Sequence, residues 1–179
     1  MYNDIELWWV TGAQLLYGGD AVVAVDAHSK EMVDGLNASG IIPVKVVYKG
    51  TANSSKEVEE IMLAANNDTK CAGIITWMHT FSPSKMWIAG FNALEKPFLH
   101  VNTQFNRDIP WSDIDMDFMN LNQSAHGDRE HGYITARMRM NRKVVAGHWT
   151  NPEAQKKIGV WARTAAAVAD AKQVRCLMF

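Results

Sequence analysis

Two cysteines in 179 residues are too few for a disulfide framework. Both Cys71 and Cys176 sit in apolar runs, the setting of small buried thiols. No hydrophobic stretch approaches the roughly 20 residues of a membrane-spanning helix. The opening residues Met1–Glu6 lack a cationic segment and hold only a short apolar run, which excludes a secretory leader there and makes the cytoplasm the expected compartment. There is no surplus of either charge: 18 basic and 19 acidic side chains leave a net charge of -1. Scattered charge of this kind forms no footprint for a phosphate backbone or an anionic membrane, so neither nucleic acid nor membrane is an expected partner. Internal repeats, low-complexity tracts and interdomain linkers are absent as well, which argues against solenoid, fibrous or multidomain organisation.

What is present is the balance of a folded domain, with 47% hydrophobic and 21% charged residues. The length suits a single domain over 1–179 with one sizeable core. Apolar runs rich in β-branched and aromatic residues at Ile5–Val10, Ile42–Tyr48, Ala72–Met78, Phe98–Val101 and Val144–Ala146 read as buried strands, with Val174–Phe179 a weaker sixth. Between them, Val22, Val25, Ser29, Met32, Val33 and Leu36 share one helical face closed by Gly40, and Val58, Ile61, Met62 and Ala65 share a second. A third helix is expected to be capped by Ser82, to take Pro83 at its first position and to stop before Lys96-Pro97. Helical spacing resumes around Ala125–Met140 and again from Pro152 to about Val168. Strand and helix alternating at this spacing predict an α/β fold of three layers: a doubly wound, mostly parallel sheet of the Rossmann- or flavodoxin-like kind. The polar segment 102–123 interrupts that rhythm.

Ligands of such sheets bind beyond the carboxyl ends of the strands, so the loops there bear on function. The first, Thr11-Gly-Ala-Gln14-Leu-Leu16-Tyr17-Gly-Gly-Asp20, superficially resembles a phosphate loop but lacks both glycine fingerprints. Asp20, the expected helix cap, would also repel a phosphate. The loop reads either as a glycine-rich turn with Tyr17 over the core, or as Gln14 and Tyr17 facing a polyol. The loops His79-Thr-Phe81-Ser-Pro83 and Asn102-Thr-Gln104-Phe105 mix imidazole, amide and aromatic groups, which suits the hydroxyls and C–H faces of a sugar. His79 by itself reads as a hydrogen-bonded structural histidine.

His126 and Glu130 fall at helical i, i+4 spacing and could hold a metal. The spacing is one residue longer than the inverzincin pattern, however, and no third ligand is evident; Asp128 to His131 read equally as a solvated first turn. Asp113, Asp115 and Asp117 alternate along a loop, as turn and cap carboxylates do. Of the seven tryptophans, Trp8, Trp9, Trp77, Trp87 and Trp161 read as core, whereas Trp111 and Trp149 stand in loop contexts that could line an interface.

Two longer segments carry a resemblance. Thr76-Trp-Met-His79-Thr-Phe81-Ser-Pro83-Ser-Lys85-Met-Trp87-Ile88 and Trp111-Ser-Asp113-Ile-Asp115-Met-Asp117-Phe-Met119-Asn-Leu-Asn122-Gln123-Ser-Ala-His126-Gly-Asp-Arg129-Glu130 are similar to segments of L-arabinose isomerases. Thr11-Gly12 with Gln14 and Leu16-Tyr17-Gly18, Thr103-Gln104-Phe105-Asn106, Ala136-Arg137-Met138-Arg139 and Gly147-His148-Trp149 add to the match. The chain thus resembles the amino-terminal domain of that family, with the central and carboxy-terminal domains outside this sequence.

The resemblance implies an aldose–ketose isomerase of arabinose catabolism that interconverts L-arabinose and L-ribulose and often takes related aldoses such as D-galactose. It implies a divalent metal, usually Mn²⁺, held by glutamates and histidines of the later domains, so that this chain binds no metal and is inactive alone. It also implies a homo-oligomer, a hexamer, in which Gln14, Leu16, Tyr17, Phe81, Gln123 and His126 are lent as substrate contacts to a neighbouring subunit. The chain departs from the family at Leu15, where a histidine is frequent, and at His131 and Thr135, where an aromatic residue and a glycine are common. The end, Leu177-Met178, also fits poorly. The reading that competes is a stand-alone sugar- or flavin-binding module of flavodoxin-like form.

Overall fold

The β-branched and aromatic runs form five strands: β1 (Glu6–Gly12), β2 (Lys45–Ala52), β3 (Cys71–Met78), β4 (Phe98–Asn102) and β5 (Arg142–Ala146). The computed structural model describes residue 2 and residues 4–178, apart from the side chain of Tyr17. All the strand pairings are parallel, in the order β2-β1-β3-β4-β5. The central β3 is buried along its whole length, which is why it reads as an unbroken apolar run and not as an alternating one. Edge strand β5 keeps only Val145 fully buried.

Helices cover both faces. On one, α1 (Gly19–Ala38) and α6 (Pro152–Ala171) bring Met32, Val33 and Leu36 against Ile158, Trp161 and Ala162. On the other, α2 (Ser55–Asn67) and α3 (Ile88–Ala93) bury Val58, Met62 and Phe91 with Trp87. The two remaining helices, α4 (Met116–Leu121) and α5 (Ser124–Arg137), follow β4. Trp9 and Trp77 lie 6.1 Å apart at the centre of the α1 side; truncating either would cost about 3–5 kcal/mol.

The chain runs from β1 outward to β2 and then crosses back beyond β1 to β3. The connections therefore diverge between β1 and β3, and a crevice opens at their carboxyl ends. Gly12 ends β1 there opposite Met78. A Cβ at residue 12 would collide with Met78 Sδ, Ser82 Oγ and the Trp87 indole, so only glycine lets the two strand ends approach this closely.

Several expectations are corrected. The run Val174–Met178 forms no strand, because α6 continues to Ala171 and turns out into solvent; Phe179 lies outside the described residues. Cys176 is accordingly exposed, while Cys71 is buried. Ser82 does not cap a helix: its hydroxyl accepts the buried Trp87 indole N–H at 3.2 Å, and Pro83 precedes a 3-10 turn, Ser84–Trp87, that leads into the short α3. Asp20 lies inside the first turn of α1; Gly18, at φ 88°, holds the capping position, a conformation that excludes most side chains. Trp149 is half-buried: it packs across Gly35 of α1 and gives its indole N–H to Phe105 O at 3.0 Å.

Candidate functional site at the carboxyl edge

The loops after β1, β3 and β4 all emerge at the carboxyl edge of the sheet, as parallel strands require. After β1, residues 15–17 make a 3-10 turn closed by Gly18 N–H to Leu15 O at 3.0 Å. This lifts Leu15 and Leu16 out of the body, 68% and 79% exposed, and leaves Gln14 half-buried beside them. The side chain of Tyr17 lies outside the described residues.

After β3, Phe81 is half-buried and meets the exposed His126 ring at a centroid distance of 4.8 Å. Gln123, at the start of α5, gives its backbone N–H to His79 O at 2.9 Å. Three of the six expected contact residues, Phe81, Gln123 and His126, thus come together where β3 ends and α5 begins. Gln14 and Leu16 occupy the adjacent loop along the same edge.

Beside this cluster lies a groove of about 530 Å³ whose lining includes Gln123, His126, Ile109, Met116, Phe118 and Met119. Its outer wall is the segment that breaks the βα rhythm. Asp115 caps α4 by accepting Phe118 N–H at 2.8 Å, and Asp117 stands in the first turn, so these two acidic residues are helix-start carboxylates. Trp111 projects from the same wall, 78% exposed.

Beneath the edge sits a partly buried aromatic ladder. His79 is fully buried, stacks on Trp77 at 4.6 Å and shares a 2.7 Å hydrogen bond with His28 of α1. His28 in turn stacks on Phe105 at 3.7 Å. Burial, reinforced by the neighbouring His28, pushes the His79 pKa down to about 3; His28 is lowered as well, mainly by desolvation. Both imidazoles are therefore neutral at pH 7 and support the loops without carrying charge. The sequence pointed to His79 as structural. It did not single out His28, whose only signal was its place one position from the α1 core face.

A second polar group lies under α5. Asp128, 5% exposed, pairs with His100 Nε2 of β4 at 2.7 Å. Thr76 Oγ1 of β3 bridges His100 Nδ1 at 2.9 Å and His131 Nε2 at 3.3 Å. The reading of Asp128 to His131 as a solvated turn is thus overturned at both ends, since His131 is 1% exposed among Trp87, Phe91 and Phe98. Desolvation raises the Asp128 pKa against the pull of His100, and drives His131 well below the ordinary imidazole value, helped by His100 and Arg142.

Glu130, the other half of the imagined metal pair, instead accepts Ser84 N–H at 3.1 Å and so ties α5 to the loop after β3. Among the described residues no group of three or more His, Cys, Asp or Glu side chains is arranged to hold a metal ion. Among the same residues no helix is long and apolar enough to cross a membrane.

Comparison with known proteins gives a consistent picture. Residues 1–173 match the family model of the L-arabinose isomerase N-terminal domain. The chain is 66% identical over 178 residues to an L-arabinose isomerase of Phocaeicola vulgatus, covering 99% of this chain and 35% of the relative. It is 65% identical over 179 residues to that of Bacteroides thetaiotaomicron, covering 100% and 35%, and 53% identical over 179 residues to that of Anoxybacillus flavithermus, covering 100% and 36%. The chain spans about a third of the length of the curated relatives it matches.

Proposed function

The chain belongs to the L-arabinose isomerase family, as its amino-terminal domain, and on that premise we propose that it is the substrate-facing and oligomer-forming part of a cytoplasmic enzyme that converts L-arabinose to L-ribulose. The observation that carries the reading is the convergence of Phe81, Gln123 and His126 at the carboxyl edge of β3, with Phe81 and His126 in ring contact at 4.8 Å. Gln14, Leu16 and Tyr17 belong to the loop next to it.

Each side chain suits one aspect of a linear or cyclic aldose. The Gln123 amide donates and accepts, as vicinal hydroxyls demand, and His126 can do either. Phe81 and Leu16 offer apolar surface to C–H groups. Moving the hydrogen between C1 and C2 needs an acid–base pair, and that is not the role proposed for these side chains. That chemistry, with the Mn²⁺ that supplies electrophilic assistance when bound, falls to the rest of a longer polypeptide. In this reading the Gln14–Tyr17 loop, with Leu15 and Leu16 exposed, and the exposed groove wall reach into a neighbouring subunit, so that the site is completed in a homo-oligomer.

The test joins this chain to the remaining two thirds of the Bacteroides thetaiotaomicron enzyme. The chimera should turn over L-arabinose with Mn²⁺, the chain of 179 residues should not, and Gln123→Ala or His126→Ala should raise KM by on the order of tenfold or more. Turnover by the chain alone would sink the proposal. Sugar binding by the chain without any effect of these substitutions on the chimera would favour a stand-alone binding module instead.

A further inference from the structure

The residues of α5 that face the sheet are Ser124, Gly127, Asp128, His131 and Thr135. They recur at helical spacing, yet none is a large apolar side chain. Every other long helix here seats itself by apolar burial, which is non-directional and tolerates small shifts. α5 is seated by contacts that do not. Gly127 lies so close to β3 that a Cβ there would meet Met78 Cβ at 2.8 Å. Gln123 N–H bonds His79 O, and Glu130 accepts Ser84 N–H. At the centre of this face, Asp128 pairs at 2.7 Å with His100, both side chains being 3% exposed or less. His100 is itself oriented by Thr76.

Asp128 lies five residues past Gln123 and two past His126, so its pairing fixes the rotation of the very turn that carries both. We propose that the buried Asp128–His100 pair is a positioning device that sets the rotation and height of the first turns of α5, and thereby aims Gln123 and His126 at the substrate. The inference rests on the reading of those two residues as sugar contacts. Asp128 and His100 touch no substrate, so they are positioning residues and not catalytic ones.

The pair is built for this role and poorly built for stability alone. Replacing a buried ion pair by apolar side chains of similar size is often neutral or stabilising. Asp128 Oδ2 finds no protein hydrogen-bond partner among the described residues, so the carboxylate is held by one oxygen in one direction. What the pair adds beyond an apolar contact is angular definition.

Two variants separate the roles: Asp128→Asn, which keeps the shape and an acceptor but loses the charge, and the double variant Asp128→Leu/His100→Leu, which removes the pair and leaves no orphaned charge. The first readout is the His126 ring-proton resonances of the chain, which Phe81 shifts by its ring current at 4.8 Å. The second is KM against kcat in the chimera. For the double variant we expect an unfolding midpoint at or near that of the parent, His126 resonances moved toward those of a free imidazole, and KM raised on the order of tenfold with kcat less affected. Asp128→Asn should move the resonances the same way, by less.

A double variant that regains stability and also keeps the parent His126 shifts and KM overturns the inference, since a merely structural pair would behave so. Shifted resonances with unchanged KM, in a chimera where Gln123→Ala does raise KM, overturn it too. If Gln123→Ala and His126→Ala themselves leave KM untouched, the sugar-contact reading fails instead, and the resonances alone still decide whether the pair sets α5.

Discussion

At the scale of single residues, buried imidazoles dominate the electrostatics of this protein. His79 and His131 are held neutral by burial, so as pH falls below the ordinary imidazole value of 6.5 the unfolded chain takes up protons that the folded one refuses. Their contribution is present in full above 6.5 and is lost as pH falls toward the folded values, about 3 for His79. By pH 5 the His79 share alone amounts to about 2 kcal/mol. Asp128 acts in the opposite sense. Its raised pKa stabilises the fold below the unfolded carboxyl value, and that gain is lost as pH rises through the folded value, which offsets part of the histidine loss in acid.

The net expectation is a urea midpoint that drops between pH 7 and pH 5. His131→Phe should make that drop shallower while preserving the fold, because a phenyl ring suits the aromatic cage of Trp87, Phe91 and Phe98 and titrates nowhere. An equal or steeper pH slope in the variant would show that the buried imidazole is not a source of it. This position is one of those at which the sequence departs from the resemblance. Thr135, another such position, turns its hydroxyl back to His131 O at 2.7 Å, so these two departures fall on one buried strip of α5.

At the scale of elements, the segment between β4 and α5 is the weakest part of the site. α4 is six residues long with none of them buried, so tertiary packing contributes little and local capping matters correspondingly more. Removing the Asp115 cap in Asp115→Ala should cost about 1 kcal/mol locally. That would speed amide exchange across residues 116–121 by roughly fivefold, with no shift in the global unfolding midpoint. Unchanged exchange there would mean that something other than the cap holds the groove wall. α5 presents the reverse case, a well-seated helix whose inner face carries hydrogen-bonding and small side chains where hydrophobic ones are usual. A hydrophobic pattern alone reads such a helix as loosely attached, and this is why Asp128 looked solvated in the sequence.

At the scale of the whole molecule, the carboxyl edge gathers more exposed apolar surface than an isolated domain needs: Leu15, Leu16, Ile109, Trp111, Met116 and Met119 are all at least half exposed. If the longer enzyme assembles through this edge as proposed, the Trp111 contribution to emission, isolated by subtracting the spectrum of Trp111→Phe, should be that of a water-exposed indole in the chain and should shift to the blue in the assembled chimera. A red-edge contribution in both would place the loop outside the interface.

The sequence by itself showed all five strands and the doubly wound class, because β-branched runs and 3.6-residue spacing are local signals that burial then reinforces, but it also offered a sixth strand at its end that the structure does not form. It also determined the family, through two long motifs that border the site. Within the site, Phe81, Gln123 and His126 were legible only as separate motif positions. Their convergence was decided by tertiary structure, through the β3–α5 contact at Gly127 and Met78 and the backbone bond from Gln123 to His79. Only tertiary structure likewise paired His28 with His79 and Asp128 with His100, residues 51 and 28 positions apart. Polar side chains carry no periodic signature of their own. Whether one meets water or another polar group is settled by which strands lie beneath it, and that depends on sheet order.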